Sequence, residues 1–168
     1  MDKTYTNHDI SNELLGFTIV MAYEDLKGVK SIESLLDVYG NIVLLYPGDG
    51  KEGHWTCVFY TVNNKGQRVI EFYDPYGISV DNEFKFLSTK KKKTPRYLAN
   101  LLSKSRYPIE YNEHKFQAMS NNINTCGRHV VNRIIYSHLP LSKYNKLFGP
   151  SRNVNSDKLV TVLTEYYK

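Results

Sequence analysis

Cys126 stands where a polar loop turns into an amphipathic segment, Asn124-Thr125-Cys126-Gly127-Arg128-His129-Val130-Val131-Asn132-Arg133-Ile134-Ile135. Val130, Val131, Ile134 and Ile135 recur at helical spacing and predict a buried stripe. Asn124 or Thr125 is placed to cap its start. A thiol in a first helical turn lies at the positive end of the helix dipole, beside N–H groups without intrahelical partners, and both favour the anion that attacks carbonyls. Taken alone, a lone cysteine at a helix start is more often a packed thiol. Two further residues change the weighing. His54 opens the run His54-Trp55-Thr56-Cys57-Val58-Phe59-Tyr60-Thr61-Val62, and Asp74 follows the run Gln67-Arg68-Val69-Ile70-Glu71-Phe72-Tyr73. Asn63-Asn64-Lys65-Gly66 between them is turn chemistry, so the two runs predict a hairpin. With a three-residue loop Asn64-Lys65-Gly66, Asn63 faces Gln67, and His54 lies opposite Tyr76 and diagonal to Asp74. Diagonal neighbours sit about 7–8 Å apart at Cα, within reach of a carboxylate–imidazole contact. A two-residue loop turns Asp74 to the other face. Cys126, His54 and Asp74 together make a candidate triad: thiolate nucleophile, imidazole base and later acid, carboxylate to hold the imidazole's tautomer. The Cys126 backbone N–H and the Gln117 side-chain amide are candidate donors to the oxyanion.

The order Gly53-His54-Trp55, Phe72-Tyr73-Asp74-Pro75-Tyr76-Gly77, Gln117, Cys126-Gly127 resembles that of the adenovirus-type and SUMO-protease-type cysteine peptidases, over roughly Leu26 to Leu139. The resemblance implies an α+β fold. In it, a mixed β-sheet carrying the His and the Asp packs against a central helix with the nucleophile Cys at its N-terminus, an adenain-like, papain-related core. It implies one cysteine peptidase domain over residues 1–168, with His54 as base, Asp74 as orienting acid, Gln117 as oxyanion donor and Cys126 as nucleophile. Trp55 would pack beside the site, and Trp55, Gly53 and Asn124 are the candidate substrate-binding residues. Cleavage beside Gly-Gly or Gly-x-Gly follows from the same resemblance, as does a viral maturation role on capsid or core precursors. One departure stands out. Gln117 lies nine residues before Cys126, farther than is usual in the family, so the loop from Met119 to Thr125 must bulge or an amide of Asn121, Asn122 or Asn124 substitutes. Three other readings stay open: a peptidase for ubiquitin-like tails, an acetyltransferase with an acyl-CoA pocket, and a non-enzymatic basic virion-binding protein.

Other elements must position these residues. Asp9 to Leu15 predicts a short helix with Ile10, Leu14 and Leu15 apolar, and Phe17 to Ala22 is an apolar patch of open type. Leu26-Lys27-Gly28-Val29 is a turn. Ser31 caps a predicted helix with the stripe Ile32, Leu35, Leu36 and Tyr39, stopped by Gly40. Asn41 to Tyr46 reads as a buried strand. The stretch Gly48 to Gly53 lacks the ending of a phosphate loop and reads as a flexible loop beside a cleft. Thr94-Pro95 starts a helix carrying Leu98, Leu101 and Leu102, and Tyr107 to Tyr111 is an edge strand, where Pro108 is tolerated. The Cys126 helix is expected to run to Leu139-Pro140. Ser156 caps a last helix with Leu159, Val160, Leu163 and Tyr166. Cys57, an odd number of positions from His54, is expected buried and inert on the opposite face. His129 and His138 are expected in solvent or packing roles.

The chain has 168 residues, two cysteines and a net charge of +5. It shows neither paired cysteines nor zinc spacing, so neither a metal nor a cofactor is expected. The absence of a long apolar run and of a signal-peptide pattern predicts no membrane association and no secretion. A monomer fits these features, and the resemblance to viral peptidases implies the virion and the host cytoplasm or nucleus. From Lys85 to Arg106 there are eight basic side chains and no acidic one. Such a run is commonly a solvated loop. Its functional reading is a polyanion contact through Lys90, Lys91, Lys92, Lys93 and Arg96, nonspecific DNA in particular. If that reading holds, affinity for duplex DNA measured by fluorescence anisotropy falls steeply as salt is raised; binding indifferent to salt would refute it.

Overall fold

The computed structural model describes residues 4–48, 53–82, 96–117, 124–148 and 155–166. The hairpin lies at its centre, as strands β3 (His54–Val62) and β4 (Arg68–Tyr73). Asn63 closes the loop. Its N–H donates to the Gln67 carbonyl at 2.9 Å, and its Oδ1 accepts from the N–H groups of Lys65 and Gln67 at 2.9 and 3.0 Å. Gly66 takes the left-handed position at φ +74°. Cys57 pairs with Tyr73 and Phe59 with Glu71, the register of the three-residue loop.

Three strands extend the hairpin. Strand β2 (Asn41–Tyr46) runs antiparallel to β3 and sets Tyr46 opposite His54. Strand β1 (Ile19–Ala22) is parallel to β2, so the open apolar patch is a strand. Strand β5 (Ile109–Tyr111) is parallel to β4 at the other edge. The five-stranded sheet is therefore mixed, in the order β1-β2-β3-β4-β5. With six α-helices among the described residues, the fold is α+β: α1 (Asn7–Glu13), α2 (Ile32–Tyr39), α3 (Tyr97–Ser103), α4 (Cys126–Ile135), α5 (Leu141–Phe148) and α6 (Ser156–Tyr166).

Strand alternation sorts the core into two halves. Ile42, Leu44, Tyr46, Val58, Ile70 and Phe72 pack with Leu36 of α2 and Leu98, Leu101 and Leu102 of α3. Val43, Trp55, Cys57, Phe59 and Tyr73 pack with Val130, Val131 and Ile134 of α4 and Tyr144 of α5. Cys57 is fully buried there, and burial pushes its thiol well above the ordinary range. Ser31 caps α2, its hydroxyl accepting from the Ser34 N–H, and Gly40 ends it in the left-handed conformation.

The structure corrects several expectations. Helix α1 ends at Glu13, and Leu15 turns out to solvent at φ +54°. Tyr39 and Ile135 are exposed, so the buried stripes of α2 and α4 are shorter than the sequence pattern. Helix α4 stops at Ile135 instead of running to Leu139. In the turn that follows, the Arg133 guanidinium donates to the carbonyls of Tyr136 at 2.8 Å and Leu139 at 3.0 Å. Helix α5 was not expected; its one buried side chain, Tyr144, is too little pattern to read. Thr94-Pro95 and Lys90 to Lys93 lie outside the described residues. Arg96 stands just before α3 and donates to Val80 O and Asn82 Oδ1.

Arg133 also makes a bidentate pair with Glu71 at 2.8 Å for both bonds. Both side chains are fully buried, and the guanidinium lies over the rings of Phe59 and Tyr144. The pair ties α4 to β4 and α5. Removing one partner strands a buried charge, so Glu71→Ala is expected to lower unfolding free energy in urea by about 3–5 kcal/mol. A loss below about 1 kcal/mol, the value of a surface pair, would show that the contact does not hold the helix.

Candidate active site

The site forms off one end of the sheet, where β1, β2 and β4 finish and β3 begins. Tyr73 ends β4, and Asp74-Pro75-Tyr76-Gly77 turns the chain. Gly77 N–H donates to Asp74 O at 2.8 Å, with Gly77 at φ +70°. A Cβ on Gly77 would come within 2.8 Å of the Glu113 carbonyl, so the turn demands glycine for both conformation and space. Asp74 is fully buried. Its backbone is held on both sides by Asn112: the Asp74 N–H donates to Asn112 Oδ1 at 3.0 Å, and Asn112 Nδ2 donates to Asp74 O at 2.6 Å. The Oδ1 of Asp74 accepts the Tyr76 N–H at 2.8 Å. It also lies 2.7 Å from His54 Nε2.

That last contact bears on the imidazole's chemistry. A carboxylate in its ionised form only accepts, and opposite it the facing ring nitrogen carries the proton, which leaves Nδ1 as the basic nitrogen. The His54 ring stacks on Tyr76, centroids 4.3 Å apart and planes 19° apart. Tyr76 therefore faces His54, as the three-residue loop requires.

The same turn carries Gln117. The N–H groups of Phe116 and Gln117 both donate to the Pro75 carbonyl, at 2.8 and 2.9 Å. Gln117 Nε2 lies 3.4 Å from Tyr76 Oη as its donor. His54, Trp55, Gly53, Tyr76, Gln117, Asn124 and Cys126 line one cleft of about 790 Å³. The rest of its lining comes from Thr4 to Asn7, Val20 to Ala22, Asp25, Leu45 and Gly48. Asp74 lies behind His54. The structure thus gathers the sequence-predicted triad, amide and substrate-binding residues around one opening. Asn121 and Asn122, offered as substitute amides, lie outside the described residues, as does the loop through which Gln117 must reach Cys126.

Cys126 is the first residue of α4, and its N–H belongs to the helix donors without an intrahelical acceptor. Thr125 holds the N-cap position, but its side chain does not cap. Its hydroxyl instead donates to Asp157 Oδ1 at 2.5 Å. The same oxygen lies 2.9 Å from Nε2 of buried His129. Asp157 belongs to α6, whose start is capped by Asn155 Oδ1 accepting from the N–H groups of Asp157 and Lys158. Ser156, expected as the cap, donates to Phe116 O. Helix α6 turns Asp157, Val160 and Thr164 inward. Arg128 reaches Thr164 at 2.7 Å and Glu165 at 3.2 Å. Helix α4 is thus buttressed by polar groups on the side that faces α6. Asn112, Tyr5 and Asp157 are the residues that sequence reasoning missed. Each acts across a long-range contact, and none sits in a motif that announces it.

Among the described residues, no group of three His, Cys, Asp or Glu side chains is placed to hold a metal ion, and no helix is long and apolar enough to cross a membrane.

No family model matches the chain. It is 33% identical over 166 residues to a Sputnik virophage protein, "Uncharacterized protein V9", covering 95% of this chain and 93% of that one. A solved structure, that of the Rickettsia bellii effector protein RickCE, matches with a TM-score of 0.43 and 14% identity over 94% of this chain. This chain spans 53% of that effector's length.

Burial pushes the His129 imidazole below its ordinary 6.5, against the opposing pull of Asp157. The unfolded chain then binds this proton more readily than the folded one. Stability from this group is intact above 6.5 and declines as pH falls through 6.5 toward the lower folded value. In urea titrations at a series of pH values, His129→Gln is expected to flatten that decline relative to wild type; parallel curves would show that His129 does not titrate against folding.

Proposed function

We propose that this chain, which belongs to the family of the Sputnik virophage V9 protein, is a cysteine endopeptidase built on an adenain-like core. Its role in this reading is the maturation of viral capsid or core precursors, cut beside Gly-Gly or Gly-x-Gly. The observation that carries the reading is the 2.7 Å contact of His54 Nε2 with buried Asp74, in a cleft that Cys126 and Gln117 also line.

In the reaction, His54 Nδ1 takes the proton of the Cys126 thiol, and Sγ bonds to the carbonyl carbon of the scissile amide. The carbonyl π pair moves to oxygen, and the Cys126 N–H and the Gln117 amide supply hydrogen bonds to that anion. Collapse restores the carbonyl and breaks the C–N bond, and the amine leaves with the proton from His54. A water molecule, losing its proton to His54, then attacks the thioester. Release of the acid returns the proton to sulfur. Asp74 keeps the imidazole in the required tautomer throughout, and Asn112 keeps Asp74 in place.

The basic run from Lys85 to Arg106 fits an enzyme that works on protein packed with nucleic acid. Cleavage of a capsid-precursor peptide and of ubiquitin-like C-terminal probes should be measured in parallel. The precursor peptide is expected to be cut beside its glycines and the ubiquitin-like probes left intact. Cys126→Ala abolishes cleavage, Cys57→Ala leaves it intact, and His54→Ala lowers kcat about 100- to 10,000-fold. Gln117→Ala lowers kcat about 100- to 1,000-fold. Cleavage that survives Cys126→Ala would end this reading, and selective cleavage of ubiquitin-like probes would redirect it to an isopeptidase.

A further inference from the structure

Tyr5 precedes α1, well before any motif in the chain, yet it is buried. Its carbonyl accepts the indole Nε1–H of Trp55 at 2.9 Å. Its ring lies beneath the Arg128 guanidinium, 4.6 Å from the centroid. Its hydroxyl accepts from Arg128 and donates to Glu13, both at 3.3 Å. A Cβ on Gly127 would stand 2.6 Å from Tyr5 Cβ and 3.4 Å from Trp55 Cδ1, so Tyr5, Trp55 and Gly127 meet in a three-way contact that admits no methyl group. Trp55 follows His54 in the chain, and Gly127 follows Cys126. The segment leaving Tyr5 is itself held: Thr6 and Asp9 form a reciprocal capping box at the start of α1, and Ile10 and Leu14 anchor that helix in the same core as α4.

We infer that Tyr5 is a positioning residue for the reaction proposed above: it wedges the start of β3 against the start of α4 and so sets the distance between His54 and Cys126. The inference rests on the peptidase reading. Base and nucleophile stand on elements far apart in sequence, and proton transfer between them requires hydrogen-bond separation. A misplacement of about 1 Å is enough to lower the rate about 100-fold. The glycine after the nucleophile has a matching explanation here, since it makes room for Tyr5.

The test is the pH profile of Cys126 alkylation by iodoacetamide, followed by peptide mapping to separate Cys126 from Cys57, with melting temperature recorded for each protein. Wild type is expected to react at neutral pH. Tyr5→Ala is expected to slow the neutral-pH reaction about 100-fold and move the profile to higher pH. Tyr5→Phe, which keeps the ring and the main-chain carbonyl, is expected to retain the wild-type profile. A loss of stability alone lowers the melting temperature and leaves the profile in place. If Tyr5→Ala does not fold, Trp55→Phe decides: it deletes the indole donor to Tyr5 and is expected to move the profile in the same direction. A folded Tyr5→Ala, or failing that a Trp55→Phe, with the wild-type profile overturns the wedge alone. A wild-type Cys126 that does not react at neutral pH overturns the peptidase reading, and the wedge with it.

Discussion

The three-residue loop of the β3–β4 hairpin is the constraint on which the site depends. Side chains alternate along a strand, so a loop shorter by one residue would put Asp74 on the wrong face. Gly66 makes the longer loop available, and Asn63 stitches it shut with its main chain and side chain together. From there the geometry propagates. Tyr76 stacks on His54, Asp74 meets its Nε2, and the Pro75 carbonyl receives the N–H groups of Phe116 and Gln117. One turn therefore holds the acid, the ring that backs the imidazole and the anchor of the amide.

A second set of contacts brings α4, with Cys126 at its start, to that turn. Apolar packing of Val130 and Val131 on Cys57, Phe59 and Tyr73 seats α4 on the sheet. Apolar contact is non-directional, however, and polar contacts set the helix's position along its axis. The Arg133–Glu71 pair pins its C-terminal end to β4, and Asp157 grips Thr125 and His129 at its N-terminal end. Buried groups of this kind are costly when half-satisfied. A displaced α4 would leave several of them without partners, which restricts the helix to one seat.

Much of this was legible in the sequence because it is local. The hairpin, its register, the helix after Ser31, the strand from Asn41 and the edge strand near Ile109 are governed by turn residues and short-range periodicity. The pairing of His54 with Asp74 followed from loop length. What escaped was decided between distant segments. Asn112 clamps Asp74 only because β5 lies parallel beside β4, and parallel pairing leaves no turn to read. The last helix buries Asp157 and Thr164 beside Val160, on the side facing Arg128 and His129, so polar side chains share the buried face that its apolar pattern alone had marked. Tyr39 and Ile135 fit a helical stripe but are exposed. Thr125 had the residue type of a cap, and a buried carboxylate took its hydroxyl instead.

The most direct measurement is the mass spectrum of the intact chain after reaction with an electrophilic peptide probe that places a vinyl ester after a C-terminal glycine, followed by mapping of the modified residue. One adduct on Cys126 is expected, present in wild type and Cys57→Ala and lost in His54→Ala. An adduct on Cys57, or labelling of Cys126 that does not depend on His54, would contradict the assignment of Cys126 as a nucleophile served by that imidazole.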